Sequence, residues 1–172
     1  MQIISGKYRG RKLMLPVKAR PTQNRARIAL FNMLKEILNV GEITVWDAFA
    51  GSGAFGIEFL SRGWARHAIF TDSDADAIKV IGKNLSGFSA DEFVIRHSDA
   101  LRVSNEFGLL ADVVFIDPPY SNLVVAEKLI DKLKPGAIIV WEMESCQEPK
   151  IGYEILKDKT YGRARFLIMV KK

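Results

Sequence analysis

The residues best suited to chemistry are Asp117-Pro118-Pro119-Tyr120, which directly follow a short apolar run. They suit an amine on an aromatic base, whose lone pair is delocalised into the ring and must be redirected by two acceptors that bind its hydrogens. The Asp117 carboxylate and the Pro118 carbonyl, held by a stiff Pro-Pro step, could be those acceptors. Tyr120 could stack on a flipped or unpaired base, an interaction worth roughly 1 to 3 kcal/mol. The alternative is a strand-ending turn with an incidental proline pair.

A second motif, Gly51-Ser52-Gly53-Ala54-Phe55-Gly56, fits the pattern G-x-G-x-x-G, and Asp72 follows it near the end of the next strand. Glycines let a nucleoside ligand approach the backbone, and the Asp72 carboxylate would accept hydrogen bonds from two ribose hydroxyls. The motif alone does not separate a dinucleotide from S-adenosylmethionine. Asp47 favours S-adenosylmethionine, because a carboxylate beside the glycine turn would repel a pyrophosphate and attract the ammonium of a methionine moiety. A glycine turn without a ligand is the alternative.

Asp99, after the third predicted strand, could meet an adenine amino group with its carboxylate. An aspartate that caps the next helix would look the same in the sequence, so both roles remain open. The predicted cofactor contacts are Asp47, Ala50, Gly51, Ser52, Gly53, Asp72, Ser73, Asp99 and Ala100.

Positive charge is concentrated near the N-terminus. The chain has a net charge of +5, yet residues 1–35 contain nine Lys or Arg and no acid, and the rest sums to −4. A basic segment on a mildly acidic body indicates a polyanionic partner, with nucleic acid the leading candidate and a solvated basic arm the alternative. The predicted nucleic-acid contacts are Lys7, Arg9, Arg11, Lys12, Arg20, Arg25 and Arg27.

The composition narrows the class of protein. A chain of 172 residues with 48% apolar residues can bury one sizeable core, so one domain over residues 1–172 is expected. A single cysteine, Cys146, excludes an intrachain disulfide, and two histidines do not suggest a zinc site, so no metal is expected. Neither a signal peptide nor a membrane span is evident, so a cytoplasmic protein is expected.

The apolar pattern predicts an α/β fold with a parallel, doubly wound sheet. A basic hairpin over residues 2–15 and a connector over 16–21 precede a helix that Thr22 would cap and that would end near Leu38. The remaining predicted elements are strand 43–49, helix 55–62, strand 67–71, helix 74–85, strand 93–96, strand 112–116, helix 123–133 and strand 137–141. Two last strands, 153–156 and 165–170, are joined by a predicted connector over 157–162 and would form an antiparallel hairpin.

Together these motifs resemble the bacterial RsmD-type methyltransferases, which methylate the N2 amine of a guanine in small-subunit (16S) ribosomal RNA. The resemblance is carried by Arg20-Pro21-Thr22, Arg25, Arg27, Leu30-Phe31-Asn32, Asp47 to Gly53, Asp117 to Tyr120, and a start over residues 4–13 similar to the family's basic hairpin. It implies a seven-stranded Rossmann-like sheet, S-adenosylmethionine held by Asp47, Gly51, Gly53, Asp72 and Asp99, and a guanine received by residues 117–120. The family usually has Asp at Asn24 and Glu at Ile28, so the polar network behind Arg25 and Arg27 is expected to be rearranged.

Three other functions compete with this interpretation. An adenine-N6 DNA methyltransferase can use the same Asp-Pro-Pro-Tyr logic, but no additional target-recognition domain is evident. A non-catalytic RNA-binding assembly factor would not need the intact Asp47 and Asp117, and a nicotinamide dehydrogenase would have no evident use for them. The resemblance makes ribosomal RNA within a partly assembled particle a plausible substrate. A monomer is expected.

Overall fold

The computed structural model describes residues 1–17, 24–118, 122–150 and 152–172. Four residues of the predicted sites or caps, Arg20, Thr22, Pro119 and Tyr120, lie outside the described residues, as does most of the predicted connector 16–21.

Seven strands form one mixed sheet, which confirms the predicted fold. Their bounds are β1 Ile43–Asp47, β2 Ala65–Asp72, β3 Phe93–His97, β4 Val113–Ile116, β5 Ile138–Glu144, β6 Glu154–Tyr161 and β7 Ala164–Val170. The order across the sheet is β3-β2-β1-β4-β5-β7-β6. Strands β1 to β5 pair in parallel, whereas β7 is antiparallel to both β5 and β6.

Helices cover both faces of the sheet. Their bounds are α1 Asn24–Ile37, α2 Ala54–Ser61, α3 Ala75–Asn84, α4 Ser104–Phe107 and α5 Leu123–Ile130. Side chains alternate between two apolar clusters along each central strand: Val45 and Phe115 pack with α1 to α3, whereas Trp46 and Ile116 pack with α4 and α5. Burial on both faces explains why these strands are continuous apolar runs in the sequence. In the described part of the chain, no helix has both the length and the apolar character needed to cross a bilayer.

The strand order reverses beside β1, since the chain passes from β1 to β2 and β3 on one side and returns to place β4 on the other. In open α/β sheets a ligand crevice forms at such a switch point, outside the carboxyl ends of the strands. The fold therefore predicts a ligand site at the carboxyl ends of β1 and β4, where Asp47 and Asp117 lie.

The predicted N-terminal hairpin forms only in part. A single bridge pairs Gln2 with Lys12, and the backbone N–H of Ile3 donates to the Arg11 carbonyl at 2.9 Å. The next two backbone N–H groups, of Ile4 and Ser5, donate instead to the side chain of Glu58 in α2. A regular two-stranded ladder therefore does not form.

The predicted connector 157–162 is wrong. Strand β6 continues to Tyr161, and only Gly162 and Arg163 form the turn to β7. The charged run Lys157 to Lys159 lies on an edge strand, where charged side chains are common because they discourage pairing with other chains. In the sequence alone, such a charged run is typical of a loop as well as of an edge strand.

Candidate active site

Four carboxylates line up along one edge of the sheet. Asp47 and Asp72 are the last residues of β1 and β2, Asp117 follows β4 directly, and Asp99 lies two residues beyond β3. Because neighbouring strands lie about 4.8 Å apart, the row from β3 to β4 is about 14 Å long. We call these four residues the carboxylate row; all four were predicted from the sequence, and the sheet order brings them together.

Asp47 is the most enclosed member of the carboxylate row, at 1% exposed. Burial raises the pKa of the Asp47 carboxyl well above its usual range, and the Asp117 and Asp72 carboxylates act in the same direction. The backbone N–H of Gly56, which donates to Asp47 Oδ2 at 3.1 Å, opposes this shift of the pKa. A cation bound beside Asp47 would oppose this shift and stabilise the ionised carboxylate.

Asp117 lies at the end of β4 and is partly buried. Burial raises the pKa of its carboxyl from 3.8 to about 7. The adjoining Pro118 is buried, so its position is fixed by packing. A carboxyl that titrates near neutral pH can accept hydrogen bonds or a proton from a substrate, which is a property typical of functional sites.

The glycine turn follows β1 with the left-handed backbone that glycine permits. Gly51 and Gly53 have φ angles of +54° and +75°. A Cβ on Gly51 would meet nothing within 4 Å, so this side of the turn is open. A Cβ on Gly53 would lie 3.3 Å from side-chain atoms of Ile57 and Phe70. The first glycine thus leaves room for a ligand, and the second lets α2 pack closely.

Asp72 organises this turn as well as lining it. Its Oδ2 accepts from the Gly51 N–H and its Oδ1 from the Asp74 N–H, both at 2.8 Å. A carboxylate has about four acceptor positions, so the predicted bonds to two ribose hydroxyls remain possible.

Asp99 shows the capping role that the sequence left open. Its Oδ1 accepts from the Leu101 N–H at 2.8 Å, and its carbonyl accepts from the Arg102 N–H at 3.1 Å. The turn it caps precedes α4, which begins at Ser104. The Asp99 carboxylate is exposed, and the cap is the hydrogen-bonding role that the structure shows for it.

The other predicted cofactor contacts differ in exposure. Ala50, Ser52 and Ala100 are buried, so the two alanines can reach a ligand chiefly through their backbone. Ser73 is exposed, and its carbonyl lies 3.0 Å from His97 Nε2. Gly51 and Gly53 provide the open turn, and the carboxylate row provides the charged acceptors.

The basic residues of the N-terminal segment are mostly on the surface. Lys7, Arg9, Lys12 and Arg25 are exposed, whereas Arg11 is half-buried. The Lys7 ammonium and the Arg11 guanidinium lie 5.2 and 5.9 Å from the centre of the Tyr8 ring. Such contacts are cation–π interactions, which hold the cations close together on one surface.

Arg27 corrects the sequence prediction of a nucleic-acid contact. It is 5% exposed, its Nη1 donates to the Gln2 carbonyl at 3.1 Å, and its Nη2 lies 3.5 Å from Glu58 Oε2. Arg27 lies on the same helical stripe as Leu30 and Leu34, a spacing that predicts burial. It is an internal tie between α1, α2 and the N-terminal segment.

Glu58 is the main residue that the sequence analysis missed. It is fully buried in α2, and its carboxylate accepts from the Ile4 and Ser5 N–H groups at 2.8 and 2.9 Å and from Arg62 Nε at 2.7 Å. A lone acid in the apolar helix sequence AFGIEFLS was the available signal, because buried carboxylates need partners.

The N-terminal segment continues along α3 towards the carboxylate row. Asn84 accepts from the Met14 N–H at 2.8 Å and donates to the Met14 carbonyl at 3.0 Å. Farther along, the Val17 N–H donates to Asp76 Oδ2 at 3.0 Å, in the first turn of α3. We call residues 1–17 the basic segment; it ends beside the edge of the sheet that carries Asp72.

Comparisons with known proteins agree with this architecture. A family model described as "Conserved hypothetical protein 95" matches residues 1–170. The Ribosomal RNA small subunit methyltransferase D of Haemophilus influenzae is 35% identical, over 94% of this chain and 89% of its own length. The Escherichia coli protein of the same name is also 35% identical, but the match spans 75% of this chain and 65% of that relative's length.

Solved structures extend the similarity to the whole fold. The structure of the Escherichia coli protein yhhF superposes with a TM-score of 0.84 at 30% identity, over 100% of this chain and 98% of that chain. Family model, relatives and structure thus cover the basic segment, the glycine turn and the carboxylate row together. The chain belongs to the family described as Conserved hypothetical protein 95, the RsmD family.

Proposed function

We propose that this protein transfers a methyl group from S-adenosyl-L-methionine to the exocyclic N2 amine of a guanine in small-subunit ribosomal RNA. One observation carries the proposal: Asp47 and Asp117 end neighbouring strands, β1 and β4, at the switch point of the sheet. An acceptor for a cofactor cation and an acceptor for a substrate amine are thus adjacent. The relatives named Ribosomal RNA small subunit methyltransferase D support the substrate class.

Three members of the carboxylate row, together with the glycine turn, fit S-adenosylmethionine. Burial raises the pKa of Asp47, and the ammonium of the methionine moiety would offset this shift and stabilise the carboxylate. Asp72 would accept from ribose hydroxyls, and the exposed Asp99 could accept from the adenine amino group. The open side of Gly51 would admit the ligand to the backbone. Asp47, Asp72 and Asp99 would then each meet a different polar group of one extended molecule.

S-adenosylmethionine would supply an electrophilic methyl on a sulfonium, so that transfer forms an N–C bond, breaks the C–S bond and leaves a thioether. Asp117 and the Pro118 carbonyl would accept the hydrogens of the amine and direct its lone pair at the methyl carbon. Asp117 would take the proton that N2 loses, which suits a carboxyl with a pKa of about 7. Alignment of the two reactants could supply roughly 7 to 11 kcal/mol of the barrier.

Pro119 and Tyr120, which follow Pro118 in the sequence, are further residues of the proposed substrate pocket. Tyr120 would stack on the extruded guanine, whose removal from a helix costs a few kcal/mol unless it is already unpaired. The surrounding RNA would lie on Lys7, Arg9, Arg11, Lys12, Arg20 and Arg25. The basic segment follows α3 to the edge of the sheet, so RNA bound to it can reach the carboxylate row.

The testing experiment is methyl transfer from labelled S-adenosylmethionine to small-subunit particles, naked ribosomal RNA and duplex DNA, followed by digestion to nucleosides. N2-methylguanosine from RNA or particles would support the proposal and identify the substrate form. N6-methyladenine from DNA would replace it with the alternative enzyme class. Cofactor binding with no product from any of the three would favour a non-catalytic RNA-binding factor.

A further inference from the structure

A cavity of about 240 Å³ lies between the basic segment and the start of α1. It is separate from the carboxylate row, and the proposed methyl transfer makes no use of it. Its lining residues are Gln2, Ile3, Ile4, Arg9, Gly10, Asn24 and Ile28.

Arg27 connects the cavity with the end of the sheet that carries Asp117. Arg27, one turn after Asn24 on α1, donates to the carbonyl of the lining residue Gln2. The charge of Glu142 also raises the pKa of the Arg27 guanidinium, as a smaller influence than burial, Glu58 and Arg62. Glu142 follows Trp141, the β5 partner of the last β4 residue, so it lies beside the strand end that carries Asp117. Arg27 thus contacts a lining residue of the cavity and interacts electrostatically with the β5 residue beside the end of β4.

The chemistry of the lining suits a nucleobase. Ile4 and Ile28 provide apolar surface for the face of a ring, and Ile28 is 43% exposed at the rim. The Asn24 amide both donates and accepts hydrogen bonds, as the edge of a base requires. Of the seven described lining residues none is acidic, and Arg9 is cationic and exposed.

The charge around the cavity favours a nucleic acid over an apolar peptide. Arg25 lies in the first turn of α1, where the described residues include no acid. Positive charge beside an apolar pocket serves a ligand that carries both a flat ring and a phosphate, because cations contact the backbone while aromatic or apolar surface takes the base.

We propose that this cavity receives a second base of the substrate RNA, adjacent to the target guanine, with Asn24 contacting the edge of the base and Arg9 its phosphate. The inference rests on the proposed function and adds a specificity-determining subsite to it. An extruded guanine has the same structure whatever nucleotides flank it. Contact with a second, neighbouring base would therefore distinguish one guanine in the RNA from the others.

The first test fills the cavity with Ile28→Trp and uses Val40→Trp as its matched control. Both residues are 43% exposed, but Val40 lies at the other ends of the strands, where β1 and β4 begin. Ile28→Trp should raise the KM for RNA about tenfold, the loss expected for one stacked base, with kcat and cofactor Kd within about twofold. Val40→Trp should leave all three unchanged.

The second test uses RNA fragments in which single nucleotides around the target are replaced by abasic sites. One abasic position should raise the KM of the wild-type protein about tenfold and cause no further increase in Ile28→Trp, because both changes remove the same contact. Asn24→Ala should weaken the preference for base identity at that same position. Melting temperatures equal to that of Val40→Trp would show that the variants are folded.

The results separate the two proposals. Equal KM values for Ile28→Trp and Val40→Trp, or additive effects at every abasic position, would overturn the second-base subsite while leaving methyl transfer intact. If the wild-type protein methylates no RNA, the proposed function fails. Fluorescence anisotropy then measures the binding of the same RNA series. One abasic position must weaken binding to the wild-type protein and cause no further loss in Ile28→Trp.

Discussion

The carboxylate row and the basic segment are held in place by different means. The carboxylates stand at the ends of hydrogen-bonded parallel strands, so the sheet itself sets their order and spacing. The basic segment has one strand bridge, between Gln2 and Lys12, and a few turn hydrogen bonds of its own, and contacts with α2 and α3 tie it to the rest of the protein. Glu58 and Asn84 supply the most enclosed of these contacts.

This difference separates catalysis from substrate positioning. A change in the carboxylate row removes a reacting or binding group without disturbing the strands that carry it. A change at Glu58 leaves the row complete but releases the segment that carries Lys7, Arg9 and Lys12. The two regions should therefore respond independently, one in turnover and the other in stability and RNA affinity.

The largest expected effect comes from Asp117→Asn. The amide keeps the shape of the side chain but can neither hold a negative charge nor accept a proton. We expect kcat to fall by about 10²- to 10⁴-fold, the range typical of a lost general base, while the Kd of the cofactor stays within about threefold. Single-turnover methyl transfer and calorimetric cofactor binding measure the two quantities.

Asp112→Asn is the matched control, because Asp112 lies just before the other end of β4 and pairs with Lys134 at 2.6 Å. Its turnover should equal that of the wild-type protein within about twofold. Near-normal turnover of Asp117→Asn would remove Asp117 from the mechanism and leave the row as a cofactor site alone.

The next largest effect is expected from Glu58→Gln. The substitution leaves the nearly buried Arg27 without its carboxylate and turns an amide donor towards the Ile4 and Ser5 N–H groups. Breaking a buried ion pair by removing one partner typically costs about 3 to 5 kcal/mol, and we expect the free energy of unfolding to fall by about 3 kcal/mol. Urea titration measures it.

Glu106→Gln provides the comparison, since Glu106 forms an exposed ion pair with Arg96 that should contribute about 0 to 1 kcal/mol. Glu58→Gln should also weaken RNA binding while the cofactor Kd is unchanged. A loss of stability no larger than that of Glu106→Gln would show that the basic segment does not depend on the buried carboxylate.

The same contrast explains which features were predictable from the sequence. Asp47, Asp72 and Asp117 each follow an apolar run, so local pattern and the rule for parallel strands placed them correctly at one edge. Glu58 was not predictable in its role because its backbone partners lie 53 and 54 positions away. Arg27 was assigned to nucleic acid because charge was weighed above its helical spacing.

The errors in the fold have a related cause. Residues 157–162 are predicted as a connector between two strands, although residues 157–161 belong to an edge strand, β6. The hairpin 2–15 was predicted from its turn residues, although the amides of Ile4 and Ser5 bond to α2 instead. Pairing with β7 decides the first region and hydrogen bonds to Glu58 decide the second, and local pattern reveals neither of these partners.

A pH titration tests the carboxylate row with a smaller effect. The pKa of Asp117 in the free protein is about 7, so the ionised acceptor is lost as the pH falls below that value. We expect kcat/KM, which reports the free enzyme, to fall about tenfold per pH unit below 7 and to be level above it. A profile that is level down to pH 5 would contradict the role of Asp117.

Stability should show the opposite pH dependence. The folded pKa of about 7 exceeds the ordinary 3.8, so between these values the folded state binds more protons than the unfolded state. Asp117 therefore makes the free energy of unfolding decrease as the pH rises from about 4 to 7. Asp117→Asn should remove its share of that slope, which urea titrations at several pH values would detect.

The smallest effect is expected from Tyr8→Phe, in the basic segment. The Tyr8 hydroxyl donates to the Gly87 carbonyl at 2.7 Å, while its ring packs on Phe88 with centroids 4.3 Å apart. Phenylalanine keeps the ring contact and the cations over it but loses the hydrogen bond, which should cost about 1 kcal/mol. Tyr8→Ala should cost more in stability and also weaken RNA binding, because Lys7 and Arg11 lose their shared ring. If Tyr8→Phe weakens RNA binding as much as Tyr8→Ala does, the hydroxyl itself contacts RNA and the segment is not simply a scaffold for its cations.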